Sequence, residues 1–209
     1  MKIRTATYAG TVVRPGDPAP DALPQIAFSG RSNVGKSSLI NSLLNRTRAK
    51  IARVSGTPGK TQALNFYRVN DRFLLVDLPG YGFAQVPESV RDGWARLIEG
   101  YLAATQEIRG VVHLVDARHS PTKHDHRMVA YLAELELPTL IVLNKIDKLS
   151  RSRRAATWRR AMEELGVDEA QLLAYSSKTG EGRQELLAAL EALIHEPATE
   201  SEQRHGSGS

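Results

Sequence analysis

"SGRSNVGKSSLIN" (residues 29–41) follows the apolar run "QIAF" and opens an amphipathic stretch. Within it, Gly30-Arg31-Ser32-Asn33-Val34-Gly35-Lys36-Ser37 has the spacing G-x-x-x-x-G-K-[ST]. The glycines let the backbone come close to an anion, and successive N–H groups converge on it at the mouth of a helix. Lys36 then places a cation on the β- and γ-phosphates, and the Ser37 hydroxyl is suited to Mg²⁺. Such a loop joins a strand to a helix, so the stretch predicts an α/β sheet as well as a phosphate site.

The rest of the chain agrees. "LNFYRV", "RFLLVDLPG", "GVVHLVDAR", "PTLIVLNK" and "LLAYSSK" alternate with helical stretches from Lys36, within 87–104, near 122–135, near 151–165 and over 182–194. Runs such as "FLLVD", "VVHLV" and "TLIVL" are apolar at consecutive positions, as in parallel strands covered on both faces. Asn70-Asp71 reads as a tight hairpin turn, which adds an antiparallel strand. The expectation is a six-stranded, mostly parallel sheet with one antiparallel edge strand and helices on both faces. Ligands of such sheets bind beyond the strands' carboxyl ends. Gly30, Asp77, Asp116, Asn144 and Ser176 all close or follow an apolar run.

Two further motifs define what the loop holds. In "LLVDLPG" (74–80), Asp77 can reach Mg²⁺ through water, and the Gly80 N–H can meet a γ-phosphate; Leu78 and Pro79 join them. In "IVLNKID" (141–147), Asp147 can accept from N1–H and the 2-amino group of guanine, which adenine cannot match. Asn144 can tie this loop to the phosphate loop, and the Lys145 stem can cover the purine. "YSSKTG" (175–180) offers Ser176, Ser177 and Lys178 around the guanine O6. The nucleotide is therefore read as GTP or GDP.

Composition narrows the setting. The chain has no cysteine, so disulfides and thiolate metal sites are excluded. No apolar run reaches the roughly 18 residues of a membrane span, and the start lacks the apolar core of a signal peptide, so a cytoplasmic protein without membrane contact is expected. The formal charge is +5, and it is unevenly placed. No acid occurs between Asp21 and Asp71 or between Lys148 and Arg160, while both blocks are rich in arginine and lysine. That pattern suits a polyanionic partner. Residues 1–20 are read as an N-terminal extension, 21–195 as the nucleotide-binding domain, and 196–209 as a disordered tail whose Gly-Ser end resembles an expression remnant.

Three contiguous blocks, "PQIAFSGRSNVGKSSLIN", "SGTPGKTQALNFY" and "LVDLPGYGFA", resemble the EngB/YihA/YsxC family of the TrmE–Era–EngA–EngB branch of GTPases. The resemblance covers about 20–195. It implies a cytoplasmic, Mg²⁺-dependent GTPase that assists assembly of the large ribosomal subunit, through rRNA and ribosomal proteins, and is needed for normal cell division and septation. A monomer is expected. The alternative is a regulatory GTPase that controls a protein partner without binding ribosomes. By position, the resemblance assigns Gly30 to Ser38 as the phosphate loop and Gly59, Lys60 and Thr61 as the switch segment. Ser37, Thr61 and, through water, Asp77 become the Mg²⁺ ligands. Lys36, Thr61 and Gly80 become the residues that act on the γ-phosphate. From the residues alone Thr57 rivals Thr61; the family pattern favours Thr61. Tyr81 stands where Ras-like proteins carry a water-orienting glutamine, so slow intrinsic hydrolysis is expected. Some relatives on this branch use K⁺ held partly by a phosphate-loop asparagine, and Asn33 occupies that position.

Other notable residues read as structural. His124 and His126 are two apart and would face different sides of a helix. His113 within "VVHLV" reads as a core histidine. Trp158 falls with Ala155, Met162 and Leu165 at helical spacing, with Arg153 and Arg160 on the opposite, solvent side.

Overall fold

Consecutive apolar residues require cover on two faces, and the chain supplies it with one sheet between two helical layers. The computed structural model describes residues 1–45, 51–52, 63–81 and 88–195. In chain order the elements are β1 (Ala6–Val12), β2 (Gln25–Gly30), α1 (Lys36–Leu43), β3 (Leu64–Val69), β4 (Phe73–Asp77) and α2 (Glu88–Ala104). They continue with β5 (Ile108–Asp116), α3 (Lys123–Glu134), β6 (Thr139–Asn144), α4 (Arg151–Leu165), β7 (Leu172–Tyr175) and α5 (Arg183–His195). The sheet order is β1-β3-β4-β2-β5-β6-β7, with β4, β2, β5, β6 and β7 parallel.

The expected six strands are thus seven among the described residues, and β3 is not an edge. Its outer side pairs antiparallel with β1, which lies in the segment read as an extension. The sequence of β1, "ATYAGTV", carries little apolar signal because only Ala6 and Val12 are buried and Gly10 interrupts its register. The strand is held mainly through its backbone. The β3–β4 turn forms at Asn70 and Asp71, both with φ of 52°, the left-handed geometry of a two-residue hairpin. Asn70 also fastens the N-terminus: its Oδ1 accepts from the Arg4 and Thr5 amides at 2.7 and 3.1 Å.

Alternate residues of β2 point to opposite layers. Ile26 and Phe28 pack with Leu39, Ile40 and Leu43 of α1 and Leu186, Leu187 and Leu190 of α5. Ala27 faces Leu97, Ile98 and Leu102 of α2 and Leu132 of α3. Full burial of each such leucine or isoleucine stabilises by about 1.5–3 kcal/mol. On α4, the buried seam is Ala161 and Leu165, with Trp158 and Met162 packed partly against it. Ala155 departs from the expectation: it is exposed, while Trp158, Ala161, Met162 and Leu165 pack inward. Among the described residues, no helix is long and apolar enough to cross a membrane.

Candidate nucleotide site

The carboxyl ends of β2, β4, β5, β6 and β7 carry the predicted residues to one edge of the sheet. β2 ends in Gly30, and the turn from Arg31 to Gly35 delivers Lys36 as the first residue of α1. Gly35 has φ of 99°, and a Cβ there would lie 2.6 Å from the Asn144 amide nitrogen. Only glycine fits that approach. Asn144 in turn donates from Nδ2 to the Val34 carbonyl at 2.9 Å, so β6 grips the loop as expected. Asn144 Oδ1 is buried and makes no hydrogen bond within the described residues.

Lys145 does more than was expected of it. It adopts a left-handed conformation, φ 66°, and its ammonium bridges the Asn33 carbonyl at 2.7 Å and Asp116 Oδ2 at 2.8 Å. Asp116 had no predicted role beyond ending a strand. It pairs in register with Asn144 across β5 and β6, which brings its carboxylate to the lysine. Burial opposes its ionisation, but bonds from Arg118 and Lys145 outweigh that and hold the carboxyl well below the usual carboxylate range.

The short 3-10 turn Ile146–Lys148 presents Asp147, whose Oδ1 accepts from the Ser176 hydroxyl at 2.7 Å. Ser176 is fully buried, and its Oγ also receives the Lys178 and Thr179 amides, both at 3.2 Å. The Lys178 amide is therefore already engaged with the protein. Ser177 Oγ is buried without a hydrogen bond among the described residues.

At the other end of the loop, Lys36 and Asp77 are buried and paired directly with each other. Ser37 is half-buried beside them in the first turn of α1, and Ser38 is exposed. Leu78 is buried, and its amide donates to the Phe28 carbonyl at 3.0 Å. After Pro79, Gly80 approaches so closely that an added Cβ would lie 3.2 Å from the Ser32 nitrogen and Cα. The Ser32 hydroxyl donates to the Gly80 carbonyl at 3.2 Å. Arg31 Nε is buried with no hydrogen bond among the described residues. Gly59, Lys60 and Thr61, with the rival Thr57, lie outside the described residues. A signal that sequence reasoning missed is Asn41. Its amide accepts from the Ile51 and Ala52 N–H groups and donates to the Ala52 carbonyl, fixing the chain beside α1.

His113, read as a core residue, is fully buried. It is also part of a polar cluster with Ser29, Tyr81 and Asp125.

The structure thus brings the buried Lys36, the Gly30–Ser37 loop and the tied Asn-Lys-x-Asp turn together at one edge of the sheet. Residues 25–145 match the family described as 50S ribosome-binding GTPase. A probable GTP-binding protein EngB of Desulforamulus reducens is 46% identical over 93% of this chain and 95% of its own length. Its counterpart in Gemmatimonas aurantiaca is 44% identical over 94% of this chain and 96% of its own.

The chain belongs to the EngB family of GTP-binding proteins.

A solved structure of a probable EngB GTP-binding protein superposes with a TM-score of 0.70 at 26% identity, covering 83% of this chain and all of that one. The Aquifex aeolicus Era protein bound to GDP·AlF4− shares the fold at a TM-score of 0.66 and 21% identity, over 83% of this chain and 57% of Era. EngB family membership makes this a GTP-binding protein within a ribosome-binding GTPase family.

Proposed function

We propose that this protein is a Mg²⁺-dependent GTP switch acting in the cytoplasm, as a monomer, on assembly of the large ribosomal subunit, and through it on cell division and septation. The observation that carries the reading is the double tie from β6 to the phosphate loop, Asn144 to Val34 and Lys145 to Asn33. In this reading, the two bonds tie a guanine-reading turn to a phosphate-holding loop.

In this reading Gly30, Arg31, Ser32, Asn33, Val34, Gly35, Lys36, Ser37 and Ser38 surround the phosphates, with Lys36 neutralising charge on the β- and γ-groups. Asp77, Leu78, Pro79 and Gly80 face the γ-phosphate, joined by Gly59, Lys60 and Thr61. Asp147 reads the guanine edge, assisted by Ser176, Ser177 and Lys178, while the Lys145 stem covers the ring. The Ser37 hydroxyl and the Asp77 carboxylate are oxygen donors suited to a hard cation, and with Thr61 these residues would hold Mg²⁺, which would screen phosphate charge when bound. Tyr81 has no side-chain carboxamide to orient water, so intrinsic hydrolysis is slow. Asn33, at the position that some relatives use for K⁺, would help hold that ion, which would supply positive charge to the developing phosphate charge. Equal turnover in matched KCl and NaCl would remove K⁺ from this account, and loss of the K⁺ effect in Asn33→Ala would secure it.

A basic face supports the polyanionic partner. Arg153, Arg159 and Arg160 are exposed along α4, and Arg160 reaches Ser120 before α3 at 3.4 Å. Lys123 and Arg127 are exposed on the neighbouring α3. Arg154 is less available, because it pairs with Glu181 at 2.5 Å. Of the Arg46–Arg53 segment only Ile51 and Ala52 are described, so its cations lie outside those residues. Co-sedimentation with large subunits in GTP against GDP tests the function. Binding should favour GTP, fall steeply with salt, and weaken in Arg153→Glu/Arg160→Glu while GTP affinity holds. Absence of nucleotide-dependent binding would point instead to a GTPase that regulates a protein partner.

A further inference from the structure

Tyr81, the residue after Gly80, is held from two sides. Its carbonyl accepts the Ser32 amide at 2.9 Å and the Ser32 hydroxyl at 3.1 Å, so the backbone leaves β4 pinned to the phosphate loop. The side chain turns the other way, toward β5 and α3. Its ring lies nearly parallel to the His113 imidazole, planes 6° apart and centres 6.1 Å apart. Its hydroxyl donates to Asp125 Oδ1 at 2.9 Å and lies 3.2 Å from His113 Nε2.

Both holders are themselves fixed. His113 Nδ1 is 2.8 Å from the Ser29 hydroxyl at the end of β2. Asp125 forms the capping box of α3, its Oδ2 taking the Thr122 amide and hydroxyl at 2.7 Å each. Burial works against the charge on Asp125, but bonds from His113 and Thr122 outweigh it, so the carboxyl stays ionised as an acceptor. Burial and the adjacent carboxylate push the Tyr81 phenol up, so it stays a donor. A side chain committed to this network cannot also orient an attacking water.

We propose that Tyr81, His113 and Asp125 are positioning residues that set the Gly80 amide for the γ-phosphate, anchoring that contact to α3. The proposal rests on the reading that Gly80 meets the γ-phosphate. A residue fixed through both carbonyl and side chain leaves its neighbour little freedom to lose on binding, which favours the ligand that uses it. A diphosphate does not extend to Gly80, so the network serves the triphosphate alone.

The test is the ratio of affinities for a non-hydrolysable GTP analogue and for GDP, measured on the full chain with melting temperature alongside. Tyr81→Phe removes only the hydroxyl and should weaken the analogue about fivefold to tenfold while GDP changes less than about twofold. Asp125→Asn should shift the ratio in the same direction, and the double variant should lose little more than either single one, since both break one link. An unchanged ratio in Tyr81→Phe, or equal weakening of both nucleotides, overturns the proposal. Gly80→Ala separates the two levels. If it spares the analogue, the reading of Gly80 fails and the network's role fails with it; if it weakens the analogue while Tyr81→Phe does not, only the network's role fails.

Discussion

The two ends of the site are built in opposite ways. Around Asp147 and Asn144, charged and amide groups are tied to protein partners: Ser176 on one carboxylate oxygen, Val34 on the Asn144 amide, Asn33 and Asp116 on Lys145. Around Lys36 and Asp77, the two charged groups are bonded to each other. The first set of ties holds the proposed base end in place without a ligand. In the proposed reading, phosphate and cation would compete with that ion pair, so nucleotide state would be felt there. On the proposed function, selectivity for guanine and sensitivity to the γ-phosphate would then reside in separate parts of one loop system.

The sharpest way to break this contrast is Lys36→Ala. It removes the buried lysine of the loop and leaves Asp77 without its Lys36 partner, so nucleotide affinity should drop by about a hundredfold or more, read by titration with a fluorescent GDP. Retained affinity would mean that Lys36 serves Asp77 and not phosphate. Asp147→Asn should come next. The Ser176 bond can persist to an amide oxygen, so the fold is kept while guanine nucleotides weaken about tenfold to hundredfold and xanthine nucleotides improve. Unchanged GTP affinity would take Asp147 out of the base site.

Asn144→Ala should cost less, roughly tenfold in GDP affinity, because it cuts one tie to the phosphate loop and leaves the Lys145 tie standing. If affinity is unaltered in this variant, the base end is not what holds the loop. The smallest effect concerns Asp116, whose carboxyl titrates lower in the folded chain than in the unfolded one. A depressed value adds stability above the unfolded carboxylate range, near pH 4, and gives it up as pH falls below. Asp116→Asn should therefore melt a few degrees lower than wild type at pH 7, with the gap closing toward pH 2. A gap that stays constant with pH would assign the loss to packing.

The spacing from Gly30 to Ser37, the aspartate after "LLV" and the Asn-Lys-x-Asp turn were readable because backbone chemistry dictates residue type at fixed intervals along one segment. Strand and helix positions were readable for a similar reason, since cover on both faces leaves unbroken apolar runs. Those properties are local, and the linear sequence by itself determined them. The seventh strand was not local. β1 buries only its ends and owes its place to backbone bonds with β3 and to Asn70, some 65 residues distant. The partner of Lys145, the commitment of Tyr81 to His113 and Asp125, and the loss of Arg154 to Glu181 were likewise settled by tertiary structure alone. Each depends on which side chains the sheet register and helix packing bring within about 3 Å, the range over which a hydrogen bond forms, and no spacing rule along the chain encodes that distance.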